Sequence, residues 1–273
     1  MAVCELLAVS ARFPTTIHLS LDELASHGGL KGPHRDGWGV AYLQDGDALV
    51  LREPDAASES RLLACAKHHA LRSSTVLAHI RRATQGHRML RNTQPFTREL
   101  GGRIHAFAHN GMVPGVEQDP RFQTRRFRAI GDTDSEHAFC ALLDRLAPLW
   151  DHGVPSLTAR VAEIRAFAAS LGALGPANFL YTDGDALFAH GHRRRDDTGE
   201  IRPPGLHVLC RTCSAAADGV PLAGVSVAHD AEQQVALVAS VPLSDERWEA
   251  LAEGEVVVIR EGRVVLRESA MAL

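Results

Sequence analysis

Apolar residues recur along this 273-residue chain in two rhythms. Short runs that alternate or stay apolar between turn signals predict strands: CELLAV (4–9), GWGVAYL (37–43), ALVLR (48–52), STVLAHI (74–80) and RIHAFAHN (103–110). The N-terminal half is therefore mostly sheet. Helical spacing takes over in SESRLLACAKHHALRS (58–73) and DSEHAFCALLDRLAPLW (134–150), the second with Phe139, Leu142, Leu143 and Leu146 on one stripe behind an acidic first turn. SLTARVAEIRAFAASLG (156–172) predicts a third helix, with Ser156 to cap its start and Gly172 to end it. Sheet then resumes. NFLYTDGDALFAH (178–190) and EVVVIREGRVVLR (255–267) predict hairpins through their Asp-Gly and Glu-Gly turns, and LHVLCR and VALVAS predict further strands. The stretch HRRRDDTGEIRPPG (192–205) predicts a mobile surface loop. Strands and helices come in blocks and not as βαβ units, which favours a layered α+β sandwich, with residues 1–273 as a single domain.

Composition narrows the class. With 45% hydrophobic and 23% charged residues the chain can bury a large core. No run of eighteen apolar residues and no signal-like N-terminus occurs, which predicts a cytoplasmic protein without a membrane partner. A net charge of −4 gives no general attraction to phosphate backbones, so nucleic acid is not an expected partner. The five cysteines are too few and too scattered for a disulfide scaffold and read as thiols, with Cys65 and Cys140 expected in the core of helices. His105 and His109 lie four apart on a strand, about 13 Å at 3.3–3.4 Å per residue, and cannot share an ion. Cys210 and Cys213 form one Cys-x-x-Cys without a second pair, so no metal site is expected.

Three segments carry chemistry. AHNGMV ends a strand at His109 and turns through Asn110 and Gly111, pairing a side-chain amide with an unobstructed backbone N–H, the equipment of an oxyanion hole. An isolated Asn-Gly pair is also an ordinary turn. LAHIRRATQGH puts Arg81 and Arg82 at a strand end, where a guanidinium can grip a small carboxylate in bidentate fashion or simply face water. AIGDTDSEHAF puts Asp132 and Asp134 at a helix start, where carboxylates also serve as caps.

The order of these pieces is more specific than any one of them. A near-terminal Cys4, then RDGWG, AHIRRATQG, AHNG and GDTDSE, resembles the class II, N-terminal nucleophile glutamine amidotransferases over residues 4–140. The later VPLSDERWEALAEGEVVVIREGRV resembles the C-terminal part of their stand-alone bacterial, YafJ-type branch. The resemblance implies a four-layer αββα sandwich and hydrolysis of the γ-amide of glutamine to glutamate and ammonia, without a cofactor. It implies Cys4 as nucleophile, Asn110 and Gly111 at the oxyanion, and Arg81, Thr84, His109 and Asp134 around the substrate, with Arg81 on the α-carboxylate and Asp134 on the α-ammonium. Arg82 stands where family members often carry an aromatic residue. The resemblance also allows a separate synthase subunit that receives the ammonia, a different γ-glutamyl amide as substrate, as in the stand-alone enzyme of ergothioneine synthesis, or a non-catalytic regulatory role if Cys4 never becomes N-terminal. In this family the nucleophile's own α-amine is the base, titrating at about 7.7–8.0 in model peptides. Met1-Ala2-Val3 must then be absent from the active form, either as a cleaved propeptide or because translation starts at position 3, where a GTG codon would read as Val internally.

Overall fold

In the computed structural model, which describes residues 4–16, 35–69, 71–83, 86–196, 198–213 and 232–270, two antiparallel sheets are stacked face to face. In chain order the strands are β1 (Glu5–Thr15), β2 (Trp38–Gln44), β3 (Asp47–Glu53), β4 (Ser73–Ile80), β5 (Phe96–Leu100), β6 (Arg103–Gly111), β7 (Ala177–Thr182) and β8 (Leu187–Gly191). They continue with β9 (Arg194–Arg195), β10 (Ile201–Arg202), β11 (His207–Cys213), β12 (Gln233–Ala239), β13 (Glu249–Ala250), β14 (Glu255–Arg260) and β15 (Arg263–Glu268). One sheet runs β13-β11-β12-β1-β4-β2-β3 and the other β15-β14-β8-β7-β6-β5, while β9 and β10 form a small ribbon. The helices are α1 (Arg61–His68), α2 (Asp134–Trp150) and α3 (Leu157–Gly172).

The two-residue period of the strands builds the layers. Along β1, Leu6 and Ala8 point one way, into a core shared with Leu77, Ala106, Ala108, Leu180 and Val257 of both sheets. Leu7, Val9 and Ala11 point the other way, where they pack with Trp38, Val40 and Leu63 of α1. On the outer face of the second sheet, Phe107, Phe179 and Phe188 meet Phe139 and Leu143 of α2 and Ile164 and Phe167 of α3. The sequence of layers is helix, sheet, sheet, helix.

Several expected elements differ in extent. The first helix stops at His68, because Ser73 already belongs to β4 and its hydroxyl donates to the Leu43 carbonyl. Cys65 is accordingly exposed on α1, whereas Cys140 is buried in α2. The stretch expected as a mobile loop contains β9 and β10, paired Arg194 with Arg202 and Arg195 with Ile201. Strand β5 was not expected from its sequence; it pairs with β6 in register Phe96 with Phe107.

Candidate functional site

Strand ends converge at one edge of the stacked sheets. Cys4 immediately precedes β1, and β1 pairs with β4 as Glu5 with Ile80 and with β12 as Leu7 with Ala239. That register sets the ends of β4 and β12, carrying Arg81 and Ser240, on either side of Cys4. The end of β6, with His109, Asn110 and Gly111, lies in the facing sheet, and the start of α2 supplies Asp134.

Cys4 Sγ accepts a hydrogen bond from the Arg82 amide and donates to the Arg82 carbonyl, each at 3.2 Å. Burial pushes its thiol pKa up to about 11, against the lowering effects of the Arg82 amide and the Arg81 charge, while Asp134 adds a smaller rise. Asn110, buried at the end of β6, donates through Nδ2 to the Cys4 carbonyl and, at 3.3 Å, to Ser240 Oγ. Its Oδ1 is buried without a hydrogen-bond partner among the described residues. Gly111 must be a glycine, because a Cβ there would collide with the Pro176 carbonyl.

Arg81 is buried and held in place by backbone. Its Nη1 donates to the carbonyls of Asp36 at 3.4 Å and His87 at 3.2 Å, and its Nη2 to that of Gly86 at 3.1 Å. The RDGWG segment closes around the same place: the Arg81 amide donates to the Gly37 carbonyl at 2.7 Å, and the Ala83 amide donates to Asp36 Oδ2 at 2.8 Å. Asp134 does not cap α2. Thr133 does, its hydroxyl accepting from the Glu136 amide at 3.3 Å, and this leaves the Asp134 carboxylate to accept from the amides of Val113 at 2.9 Å and Ser135 at 2.8 Å. Asp132 is exposed and pairs with Arg91 at 3.1 Å. His109 is buried, its Nδ1 lies 2.8 Å from Ser135 Oγ, and burial lowers its pKa, so the imidazole is neutral. Thr84 and Met1-Ala2-Val3 lie outside the described residues.

Three supporting residues carried no local signal. Gln94 donates to the His109 carbonyl at 3.2 Å and accepts its amide at 2.6 Å, continuing the ladder of β6 where β5 has ended. Ser240 accepts the Leu6 amide at 3.1 Å while holding Asn110. Asn178 donates to the carbonyls of Asn110 at 3.1 Å and Arg193 at 2.7 Å, tying β6 to the segment before β9. Each contact spans at least 15 residues of sequence, beyond the reach of periodicity. Beside Asn110 and Gly111 opens a cavity of about 480 Å³, also lined by Arg193, Arg194 and Arg195. Among the described residues no group of acidic, histidine and cysteine side chains has the geometry to hold a metal ion.

Residues 3–272 match the family described as Glutamine amidotransferases class-II. YafJ of Escherichia coli K12, provisionally named a glutamine amidotransferase, is 37% identical over 188 residues, 69% of this chain and 72% of its own length. The 2.0 Å crystal structure of a predicted glutamine amidotransferase from Pseudomonas aeruginosa superposes with a TM-score of 0.66 at 28% identity, covering 96% of this chain and all of that one. The glutamine phosphoribosylpyrophosphate amidotransferase of B. subtilis shares the fold at a TM-score of 0.60 and 15% identity, over 97% of this chain and 49% of that one.

Proposed function

The chain belongs to the class II glutamine amidotransferases, and from that premise we propose that it hydrolyses the γ-amide of glutamine, or of a related γ-glutamyl compound, through a thioester on Cys4. The observation that carries this reading is the setting of Cys4: its sulfur lies on the Arg82 backbone and its carbonyl is held by Asn110, with the charges of Arg81 and Asp134 close enough to act on the thiol. A thiol raised to about 11 is almost entirely protonated near neutral pH and needs a base beside it. Freed of the preceding residues, the Cys4 α-amine supplies one, with a pKa of about 7.7–8.0. It also supplies a donor next to Asn110, whose Oδ1 has none among the described residues.

In the proposed reaction the amine takes the thiol proton and the thiolate attacks the γ-carbonyl carbon. The developing oxyanion accepts a hydrogen bond from Asn110 Nδ2, which replaces its longer bond to Ser240 Oγ, and a second from the Gly111 amide. Collapse breaks the C–N bond, ammonia leaves with the proton held by the amine, and water cleaves the thioester to glutamate. Arg81, fixed by three carbonyls, holds the α-carboxylate and Asp134 the α-ammonium, with Thr84 a further substrate-binding residue; neutral His109 keeps Ser135 and Asp134 in position. Residues 1–273 act as one catalytic domain in this reading, with the released ammonia free or taken by a separate synthase.

The test compares two versions of the protein, each verified by intact mass: one that keeps Met-Ala-Val ahead of Cys4 and one expressed as Met-Cys-Glu and trimmed by the host to Cys4. The trimmed form hydrolyses glutamine or a γ-glutamyl amide and the extended form is almost inactive, with similar melting temperatures. Equal rates with Met-Ala-Val retained would rule out the amine as base.

A further inference from the structure

The cavity beside Asn110 and Gly111 is far larger than the product this chemistry releases from glutamine. Its volume is about 480 Å³, within the 300–1,000 Å³ range of small-molecule sites, whereas a molecule the size of ammonia or water takes up roughly 30 Å³. Its position also fits a leaving group and not the γ-glutamyl part. It is bounded by Gly111 and by Arg82 and Asn110, which contact the Cys4 sulfur and carbonyl, and Arg81 and Asp134 are not in its walls. The chemistry of the walls is one-sided. Arg82, Arg193, Arg194 and Arg195 line it together with apolar Met112 and Leu174, and among the described residues no carboxylate does.

The arginine wall is built into the fold. Arg194 Nη1 donates to the Ser240 carbonyl at 2.7 Å, which ties it to β12 beside Cys4. The Arg193 carbonyl accepts from Asn178 at 2.7 Å, and the same Asn178 side chain holds the Asn110 carbonyl. Arg195 Nη1 donates to the Gly199 carbonyl at 2.9 Å, within the β9-β10 ribbon. Arg194 is therefore tied to one sheet and the Arg193 backbone to the other beside the same opening, while the Arg193 guanidinium pairs with Glu253 at 3.3 Å.

We propose that this cavity receives the leaving amine of an N-substituted γ-glutamyl amide, and that the preferred amine carries an apolar body and an anionic group such as a carboxylate. This rests on the γ-glutamyl hydrolase reading above. The thiolate attacks the γ-carbonyl, the bond to the substituted nitrogen breaks, the amine leaves with the proton held by the Cys4 α-amine, and water returns glutamate and the free thiol. No redox partner is required.

The experiment uses the trimmed protein with Cys4→Ala, which binds without turning over, and calorimetric titration with glutamine, γ-glutamylphenylalanine and γ-glutamylphenethylamine. The last two differ only in the leaving-side carboxylate. The carboxylate-bearing compound binds tighter than both others, and this preference falls by about tenfold in Arg195→Met and in Arg82→Met, the loss expected for one charge-assisted hydrogen bond. Arg195 is exposed, so its variant retains the melting temperature of the parent. Kinetics on the trimmed, intact Cys4 enzyme show the same order in kcat/KM. If glutamine binds and the dipeptide binds no better, or if the preference ignores both substitutions, the cavity proposal is overturned while the glutaminase reading stands. If none of the three binds, both fall together.

Discussion

Burial holds the Cys4 thiol at a pKa of about 11, so that about one molecule in ten thousand carries a thiolate at pH 7. The side chain is therefore positioned by its surroundings without being activated by them, and stabilisation of the oxyanion has to come from donors fixed in advance. In the proposed reaction Asn110 is such a donor, buried and already turned toward Cys4 by Ser240. In the trimmed enzyme Asn110→Ala lowers turnover by about 100- to 1,000-fold, with a smaller change in KM. Ser240→Ala leaves the amide in place and lowers turnover less. Unchanged turnover in folded Asn110→Ala protein removes it from the oxyanion site. The residues proposed to carry the chemistry stand in short motifs whose order, more than any one of them, was legible in the sequence. Gln94, Ser240 and Asn178 were not, because a glutamine, serine or asparagine is only a helper once another strand is brought beside it.

Helix starts show how one element can serve two purposes. In α2 the Thr133 hydroxyl caps the helix, which releases Asp134 to face Val113 and the site; in α3 Ser156 caps by accepting the Ala159 amide at 3.2 Å, at the end of the helix away from the site. The 16 residues of α3 span about 24 Å at 1.5 Å per residue. Thr133→Ala and Ser156→Ala therefore each cost about 1 kcal/mol of stability, but only Thr133→Ala raises KM, since only it lets Asp134 fall back as a substitute cap. Chemical denaturation and glutamine kinetics on the two variants check this, and equal KM values would show that Asp134 is oriented by β6 and its following loop alone. The α2 and α3 boundaries were readable because caps and stripes are local. The first helix was read too long because its C-terminal limit is set by where β4 joins the sheet at Ser73. The 192–205 stretch looked like a loop for the same reason: its order comes from Asn178 and Ser240, contacts 15 and 46 residues away.

At the scale of the whole molecule, the packing of sheet against helix strands titratable groups indoors. His105 lies against Tyr181 and Trp150, and burial lowers its pKa to about 4; His190, stacked between Phe179 and His192, falls to about 3, also chiefly through burial. Both start from about 6.5 in the unfolded chain. Between pH 6.5 and 4 the unfolded state takes up protons that the folded state refuses, so stability is lost as pH falls through that window, by up to ~1.4 kcal/mol per pH unit for each histidine. Urea midpoints measured from pH 7 down to pH 5.5, above the ordinary carboxylate range, fall accordingly. His190→Gln shows a shallower decline, and an unchanged slope in that variant would mean that the buried imidazole is not the group responsible.

The sequence by itself determined the strand and helix types, the two hairpin turns, the cap of α3, and the order of motifs in which Cys4, Arg81, Asn110, Gly111 and Asp134 stand. These are consequences of side-chain period, turn chemistry and capping, which act over a few residues. Only the tertiary structure decided that α1 lies against one sheet and α2 and α3 against the other, that Arg82 turns its backbone to Cys4, and that Arg82, Arg193, Arg194 and Arg195 line one cavity. The physical reason is strand register. One pairing, Glu5 with Ile80 and Leu7 with Ala239, aligns the ends of β1, β4 and β12 that are distant in sequence, and that alignment is fixed by burying both faces of the sheet at once.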